Sequence, residues 1–437
     1  MIVSYLKNNF TATIAQLLTS PFFKNILVVM SGTAVAQIIG FALTPIISRL
    51  FSPSDFGVFG SFGSILGVIA AGVTLQYTQA IMLPKEKTDA INLFFISCLS
   101  AVFITLLCLA AILIVPAFFL NIMKTHSAWM LVLLVMAVFV SGLNQSFQAW
   151  CVRVKAFRHT SASQVIRTIA ANGTQIGFGW FQGGALGLVC GAVLADIVAS
   201  INLARVLFSD LKALRPDIQW VRMKQLAVEY RDFPIYSATQ SVIGALSLGL
   251  PVLLLGYFYD IAVAGAYAFG VRILLAPMSF VLTALRQVLF QKASETYNYR
   301  GKLYPLYLKT TSVLLAMVII PASILFIWSP SVFAWLFGSE WHEAGIYARW
   351  LVLWLVSVFI NVPSILFGRI LRLQSKLFFY DLLLLGLRIA IFVLGGIYLE
   401  SLQTIVLFST VSSWMNTMFV IWIGYVIYCR EKRTSKG

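Results

Sequence analysis

Apolar residues along this chain fall in long, nearly unbroken runs. They show neither the alternation of a half-buried strand nor the single apolar stripe of a soluble helix. A helix needs roughly 20 apolar residues to cross a bilayer. Runs of that kind lie at about 25–49, 57–83, 91–115, 128–150, 164–182, 185–208, 233–258, 264–290, 307–329, 346–368, 376–398 and 402–428. The pattern predicts an all-α polytopic membrane protein with about 12 transmembrane helices, because barrel strands would be shorter and would alternate. The fifth run is the weakest, since Arg167, Asn172 and Gln175 interrupt it.

The polar gaps carry a second pattern. Stretches 7–24, 85–87, 153–158, 205–231, 286–309, 369–376 and 430–436 hold 25 of the 31 lysines and arginines. The gaps between them hold only Arg49, Lys124 and Arg349, and the last three arginines lie inside apolar runs. Such alternation is the positive-inside pattern of an inner-membrane protein and places both termini in the cytoplasm. It also requires the fifth run to cross. Otherwise the basic stretches 153–158 and 205–231 would fall on opposite sides.

The longest polar connection lies midway and divides the spans six and six. The predicted layout is an amphipathic cytoplasmic lead (1–24), a six-helix lobe (25–208), a cytoplasmic linker (209–232), a second six-helix lobe (233–428) and a basic cytoplasmic tail (429–437). An even number of spans per lobe gives both lobes the same orientation, so any repeat is parallel. Pro45 followed by Gly57-Val58-Phe59 is echoed by Pro251 followed by Gly265-Ala266-Tyr267. Two matched proline-broken helices point to a binding region between the lobes. The outer connections are short, the longest at about 330–345, and leave no room for a separate domain.

Composition narrows the chemistry. The chain is 60% hydrophobic and 11% charged, where a soluble domain carries about a quarter charged residues. Its net charge of +16 is spread over separate loops, which suits anionic lipid headgroups and not nucleic acid. The five cysteines form no CxxC pair and the three histidines are scattered, so no metal site or cofactor is expected. There is no P-loop, no GxSxG elbow and no HExxH, which argues against an ATP-driven pump and against an enzyme.

What stands out is charge at membrane depth. An arginine at the bilayer centre costs about 2.5–3.5 kcal/mol on insertion scales and must face protein or water. Arg272 lies in the eighth run and Arg388 in the eleventh, with Asp381 two turns before it on the same face. Asp196 lies mid-way along the sixth run, Arg167 in the fifth, and Arg49 closes the first. Each arginine is either an anion ligand in a central cavity or half of an ion pair that fastens two helices. Arg49 also has the option of snorkelling to the interface. A planar guanidinium matches the oxygens of a phosphate or diphosphate two at a time. Gln76, Gln79, Asn144, Gln145, Gln148, Gln240, Asn361 and Asn416 either bond sugar hydroxyls or glue helices together. Gly32, Gly40, Gly57, Gly60 and Gly63 allow close helix approach. A proton-coupled cycle needs a titratable acid, for which Asp196 and Asp381 are the candidates.

Four segments carry a resemblance. They are Pro45-Ile46-Ile47-Ser48-Arg49-Leu50-Phe51-Ser52-Pro53-Ser54-Asp55-Phe56-Gly57, then Leu75-Gln76-Tyr77-Thr78-Gln79-Ala80, then Phe269-Gly270-Val271-Arg272 with Pro277, and finally Gln291-Lys292-Ala293-Ser294-Glu295. In this order they resemble the polysaccharide and O-antigen flippases of the multidrug, oligosaccharidyl-lipid and polysaccharide exporter superfamily. The chain departs from that pattern at Gln76 and Thr78, where family members often carry arginine and glutamate around the tyrosine. The resemblance implies two six-helix lobes forming a V around a central cavity. It implies transfer of an undecaprenyl-diphosphate-linked oligosaccharide, such as a lipopolysaccharide O-antigen unit, to the outer leaflet of a bacterial inner membrane. It makes Arg49, Arg272, Arg388, Gln76 and Tyr77 candidate substrate contacts. Membrane lipids and the polymerase and chain-length proteins of glycan assembly are the expected partners. The alternatives are a drug or metabolite exporter of the same superfamily, which would want carboxylates in its cavity, a membrane enzyme such as a polymerase, which would want a large outer loop, and a non-transporting scaffold in a glycan assembly complex.

Overall fold

The computed structural model describes residues 21–214, 217–298 and 302–434. The first twenty residues of the expected lead and the last three of the expected tail lie outside that set. Twelve long helices run through the described residues: α1 (Pro21–Leu50), α2 (Pro53–Gly72), α3 (Lys87–Ile114), α4 (Trp129–Arg153), α5 (Phe157–Trp180), α6 (Gly184–Leu214), α7 (Ala238–Phe258), α8 (Ile261–Asn298), α9 (Leu303–Phe337), α10 (His342–Ile370), α11 (Gln374–Tyr398) and α12 (Ser401–Thr434). Eleven contain a stretch long and apolar enough to cross a membrane. The chain is a multi-pass membrane protein.

The exception by hydropathy is α5, the run that reads weakest in the sequence. It forms because α6 takes up its polar groups. Arg167 pairs with Asp196 of α6, and Gln175 Nε2 donates to the Leu188 carbonyl of α6 at 3.1 Å. Asn172 Nδ2 turns back on the Thr168 carbonyl of its own helix. In hydrocarbon, where no water competes, such bonds decide whether a polar helix can be buried.

Neighbour relations repeat between the two sets of six. α1 packs on α5, α5 on α6, α6 on α4, α4 on α3, and α2 on α4. In the second set α7 packs on α11, α11 on α12, α12 on α10, α10 on α9, and α8 on α10. Each set is a lobe. Successive helices alternate in direction, so the molecule has a first-turn end, where α1 passes to α2, and a linker end, where residues 217–237 lie.

Several connections are more ordered than the sequence suggests. The stretch at 330–345 is helix up to Phe337, then Gly338 at φ +112, a backbone angle suited to glycine, then a 3-10 turn Ser339–Trp341. A short helix Pro116–Met123 fills the gap between α3 and α4. α12 continues through the basic residues to Thr434, past the boundary expected at 428. The linker is partly helical too, since α6 runs on to Leu214 and a separate helix spans Trp220–Glu229.

That linker helix is fastened to the first lobe. Its Met223 and Leu226 are buried against Tyr77, Ile91 and Phe94. Arg222 grips Asp89 of α3 in a fork, with Nε and Nη2 each 2.7 Å from a carboxylate oxygen. Asn92 accepts from the Gln219 amide at 3.1 Å and donates to the Asp217 carbonyl at 2.9 Å. A π-turn, Phe233–Ser237, then leads into α7. Turns of this type recur at functional sites, and here one separates the strapped linker from the second lobe.

Asp89→Asn keeps the fold and loses the ion pair. Both partners are partly exposed, so the pair contributes about 1 kcal/mol or less. Trypsin cleavage after Arg222 or Lys224 should accelerate by up to about fivefold in limited proteolysis, with the melting temperature of the whole protein unchanged.

Candidate functional site: an inter-lobe seal and Arg272

The lobes meet where three glycines let backbones touch. α2 starts directly after α1, capped by Ser52 and Asp55 in a reciprocal box, and lies against α7 and α8. A methyl group built on Gly265 of α8 would sit 1.8 Å from the Pro53 carbonyl of α2. One built on Gly57 would sit 1.9 Å from the Ile261 carbonyl. Gly60 follows one turn on, 3.0 Å from Ala268 and 3.2 Å from Val252 by the same construction. Without a side chain at these points α2 and α8 approach to backbone distance, the packing that holds helices together in a bilayer.

The first-turn end is closed further by helix termini that satisfy one another. The last carbonyls of a helix have no partner within it. Trp341 Nε1 donates to the Ser48 carbonyl near the end of α1 at 2.8 Å, and Ser48 Oγ donates to the Phe337 carbonyl that ends α9 at 3.0 Å. Around them Phe56 lies edge to face with Trp341 at 5.0 Å and with Phe269 at 5.2 Å, while the Phe269 and Trp341 rings are tilted against each other at 4.0 Å. All four rings of Phe56, Phe269, Phe337 and Trp341 are buried.

Arg272 follows directly. It stands four residues after Ala268 and seven after Gly265, so it lies on the face of α8 turned toward the first lobe. Its side chain is exposed. It forms neither an ion pair nor a hydrogen bond with any described residue. Gly63 and Gly67 of α2, on the far side of the seal from Gly57, meet nothing within 4 Å of a built methyl group. Gly63 therefore does not take the close-packing role expected from the sequence.

The other charged candidates sit elsewhere. Arg388 is 7% exposed within the second lobe and bonds Ser247 of α7. Asp196 is held in the ion pair with Arg167. Asp381 is exposed and within electrostatic reach of Arg369 and Arg388, but pairs with neither. Arg49 is exposed at the first-turn end, where its Nη2 lies 3.5 Å from the Trp335 carbonyl. It lines a groove of about 450 Å³ between α1 and α9 with Pro45, Ile46 and Trp335. Gln76 and Tyr77 lie beyond the opposite end of α2, a helix roughly 30 Å long. Gln76 folds onto the Ala71 carbonyl and Tyr77 donates to the Ala227 carbonyl of the linker helix. The structure thus gives this pair a bracing position away from the seal and from Arg272.

Residues 46–346 match the family model described as polysaccharide biosynthesis protein. The chain belongs to that family. The matched region includes the α1–α2 corner, the seal and Arg272. No curated protein matches the sequence. Among solved structures, the fold is similar to an inward-facing multidrug resistance MATE family transporter of the MOP superfamily. That likeness has a TM-score of 0.69 and 14% identity, over 93% of this chain and 96% of the other. An outward-facing MATE transporter of the same superfamily gives a TM-score of 0.64 and 14% identity, over 95% and 98%. The lipid II flippase MurJ, in an inward closed conformation, gives 0.68 and 12%, over 91% and 90%. At these identities the likeness shows the fold. For this family member the site has to be read from its own side chains.

Sequence reasoning did not single out Trp341, Ser48 or Ser247. Trp341 carries no local signal, because its role depends on a carbonyl 293 positions away. Ser247 does carry one, as it precedes Pro251 by the four residues that define a helical hydrogen bond.

Trp341→Phe keeps the ring and leaves the Ser48 carbonyl unpaired, at a cost of about 1 kcal/mol. Spin-label distances across the first-turn end should show the open population rising about fivefold, with overall stability nearly unchanged.

Proposed function

We propose that the protein moves a lipid-linked oligosaccharide with a diphosphate headgroup from the inner to the outer leaflet of a bacterial inner membrane, by alternating access of the two lobes. Undecaprenyl diphosphate carrying a polysaccharide or O-antigen repeat unit is the substrate that fits the family. The observation that carries this reading is Arg272, an exposed guanidinium on the α8 face that carries the seal, with no ion pair or hydrogen bond to any described residue. A lone cation at that depth is unfavourable unless something acidic visits it. A diphosphate offers several oxygens in the geometry a guanidinium matches.

In this reading the linker end faces the cytoplasm, as the basic loops indicate. The headgroup enters from there and meets Arg272, the glycan occupies the cleft, and the polyprenyl tail stays in lipid between the lobes. Rocking at residues 230–237 breaks the seal at Gly57, Gly265 and Trp341 and opens the other side. The glycan-assembly polymerase and chain-length proteins would receive the product. A pump for cationic drugs is a poorer fit, because Asp196 is already neutralised by Arg167.

The test is flipping in proteoliposomes of a fluorescent polyprenyl diphosphate oligosaccharide, read as its protection from an added quencher. Arg272→Ala should slow flipping by about 10- to 100-fold, the range of a charge-assisted bond of roughly 1.5–3 kcal/mol. Arg272→Lys should fall between the two. Wild-type protein that never exposes the glycan to the opposite side would end the proposal, and a Lys variant as fast as wild type would remove the bidentate contact from it.

A further inference from the structure

Pro251 sits inside α7 and has no amide hydrogen. The carbonyl four residues earlier, that of Ser247, therefore has no donor within its own helix. Inside a bilayer such a carbonyl must be satisfied by another element. Arg388 of α11 does this. Its Nη1 donates to the Ser247 carbonyl at 3.0 Å and also to the Ser247 hydroxyl. The guanidinium lies 5.6 Å from the ring centre of Trp354 on α10 and 5.7 Å from that of Phe408 on α12. Its Nε is buried with no partner among the described residues, so the group forgoes a bond to keep this pose. A headgroup ligand needs its guanidinium free, and this one is clamped on one side and covered by two rings.

The position matters because α7 is the shared wall between the lobes. A methyl built on Gly249 would lie 3.0 Å from Ser64 of α2, and Val252 lies 3.2 Å from one built on Gly60. These contacts flank Pro251. The angle of α7 at its break sets how the lobes meet.

We propose that Arg388 is a positioning residue. It replaces the backbone donor that Pro251 lacks, and so fixes the bend of α7 to α11, without touching substrate. The transport arm of the test rests on the function proposed above, and the stability arm does not.

Pro251→Ala restores an amide hydrogen one turn after Ser247. Arg388→Ala, Pro251→Ala, the double variant and Arg272→Ala with and without Pro251→Ala are compared as full-length protein. Two properties are read: the melting temperature in detergent, and the turnover and half-saturating concentration for a labelled polyprenyl diphosphate oligosaccharide in vesicles. Arg388→Ala should lower both melting temperature and turnover, with half-saturation changed by no more than about twofold. Adding Pro251→Ala should recover about half or more of both losses, and should recover nothing for Arg272→Ala. Absence of suppression in melting overturns the proposal. So does an Arg388→Ala variant of unchanged melting temperature whose half-saturation rises about tenfold, the result expected of a headgroup ligand. If Arg388→Ala alone is not recovered from membranes, recovery of the double variant is the suppression, and failure of both counts against it. If the parent protein itself does not flip the probe, the melting arm still decides the role of Arg388, and only the transport reading falls.

Discussion

Hydrocarbon offers no hydrogen bonds, so a polar group at membrane depth must find a partner in the protein or stand in a wet cavity. This requirement organises the whole bundle. It joins α5 to α6 through Arg167 and Asp196, and α1 to α9 and α10 through Ser48 and Trp341. In the second lobe Asn361 donates to Asn416 at 3.1 Å, Tyr380 donates to the same oxygen at 2.7 Å, and Asn416 donates to Ser357 at 3.0 Å. Each bond ties helices that apolar contact alone would leave free to slide, because lipid tails compete equally well for leucine. Against that background Arg272 is informative because it has no partner among the described residues.

The seal and Arg272 occupy consecutive turns of one helix pair. Gly265 and Ala268 hold α8 against α2, and Arg272 is the next residue on that face. Separating the two helices therefore changes the surroundings of the guanidinium directly, with no relay. α2 also lies along α7, while the linker before α7 is strapped to the first lobe by Arg222 and Asn92. The backbone ladder is irregular at the π-turn and at the proline break in α7, whose freed carbonyl Arg388 takes up.

A fold shared with a multidrug resistance transporter and with a lipid II flippase does not name a cargo. Charge in the cleft is the discriminating property. A carboxylate there would favour cations. The acids expected to serve are either neutralised, as Asp196 is, or stand apart from Arg272, as Asp381 does on the eleventh helix.

Much of this was legible in the sequence. Eleven membrane-long apolar helices and the weakness of the fifth follow from hydropathy, a local property that partitioning into a bilayer reads directly. The depth of Arg272 and Arg388 was legible for the same reason. The fate of each arginine was not. Arg388 bonds a residue 141 positions away and Arg167 one 29 away, and no spacing rule distinguishes an arginine with a partner from one without. Gln76 and Tyr77 stand in a recognisable segment, yet packing of the linker helix decides that Tyr77 braces it. The sequence by itself determined which segments are long and apolar enough to enter a membrane, because hydrophobicity is a property each segment carries alone. Only the tertiary structure decided which charges are satisfied among the described residues, because satisfaction is a property of pairs brought together by packing.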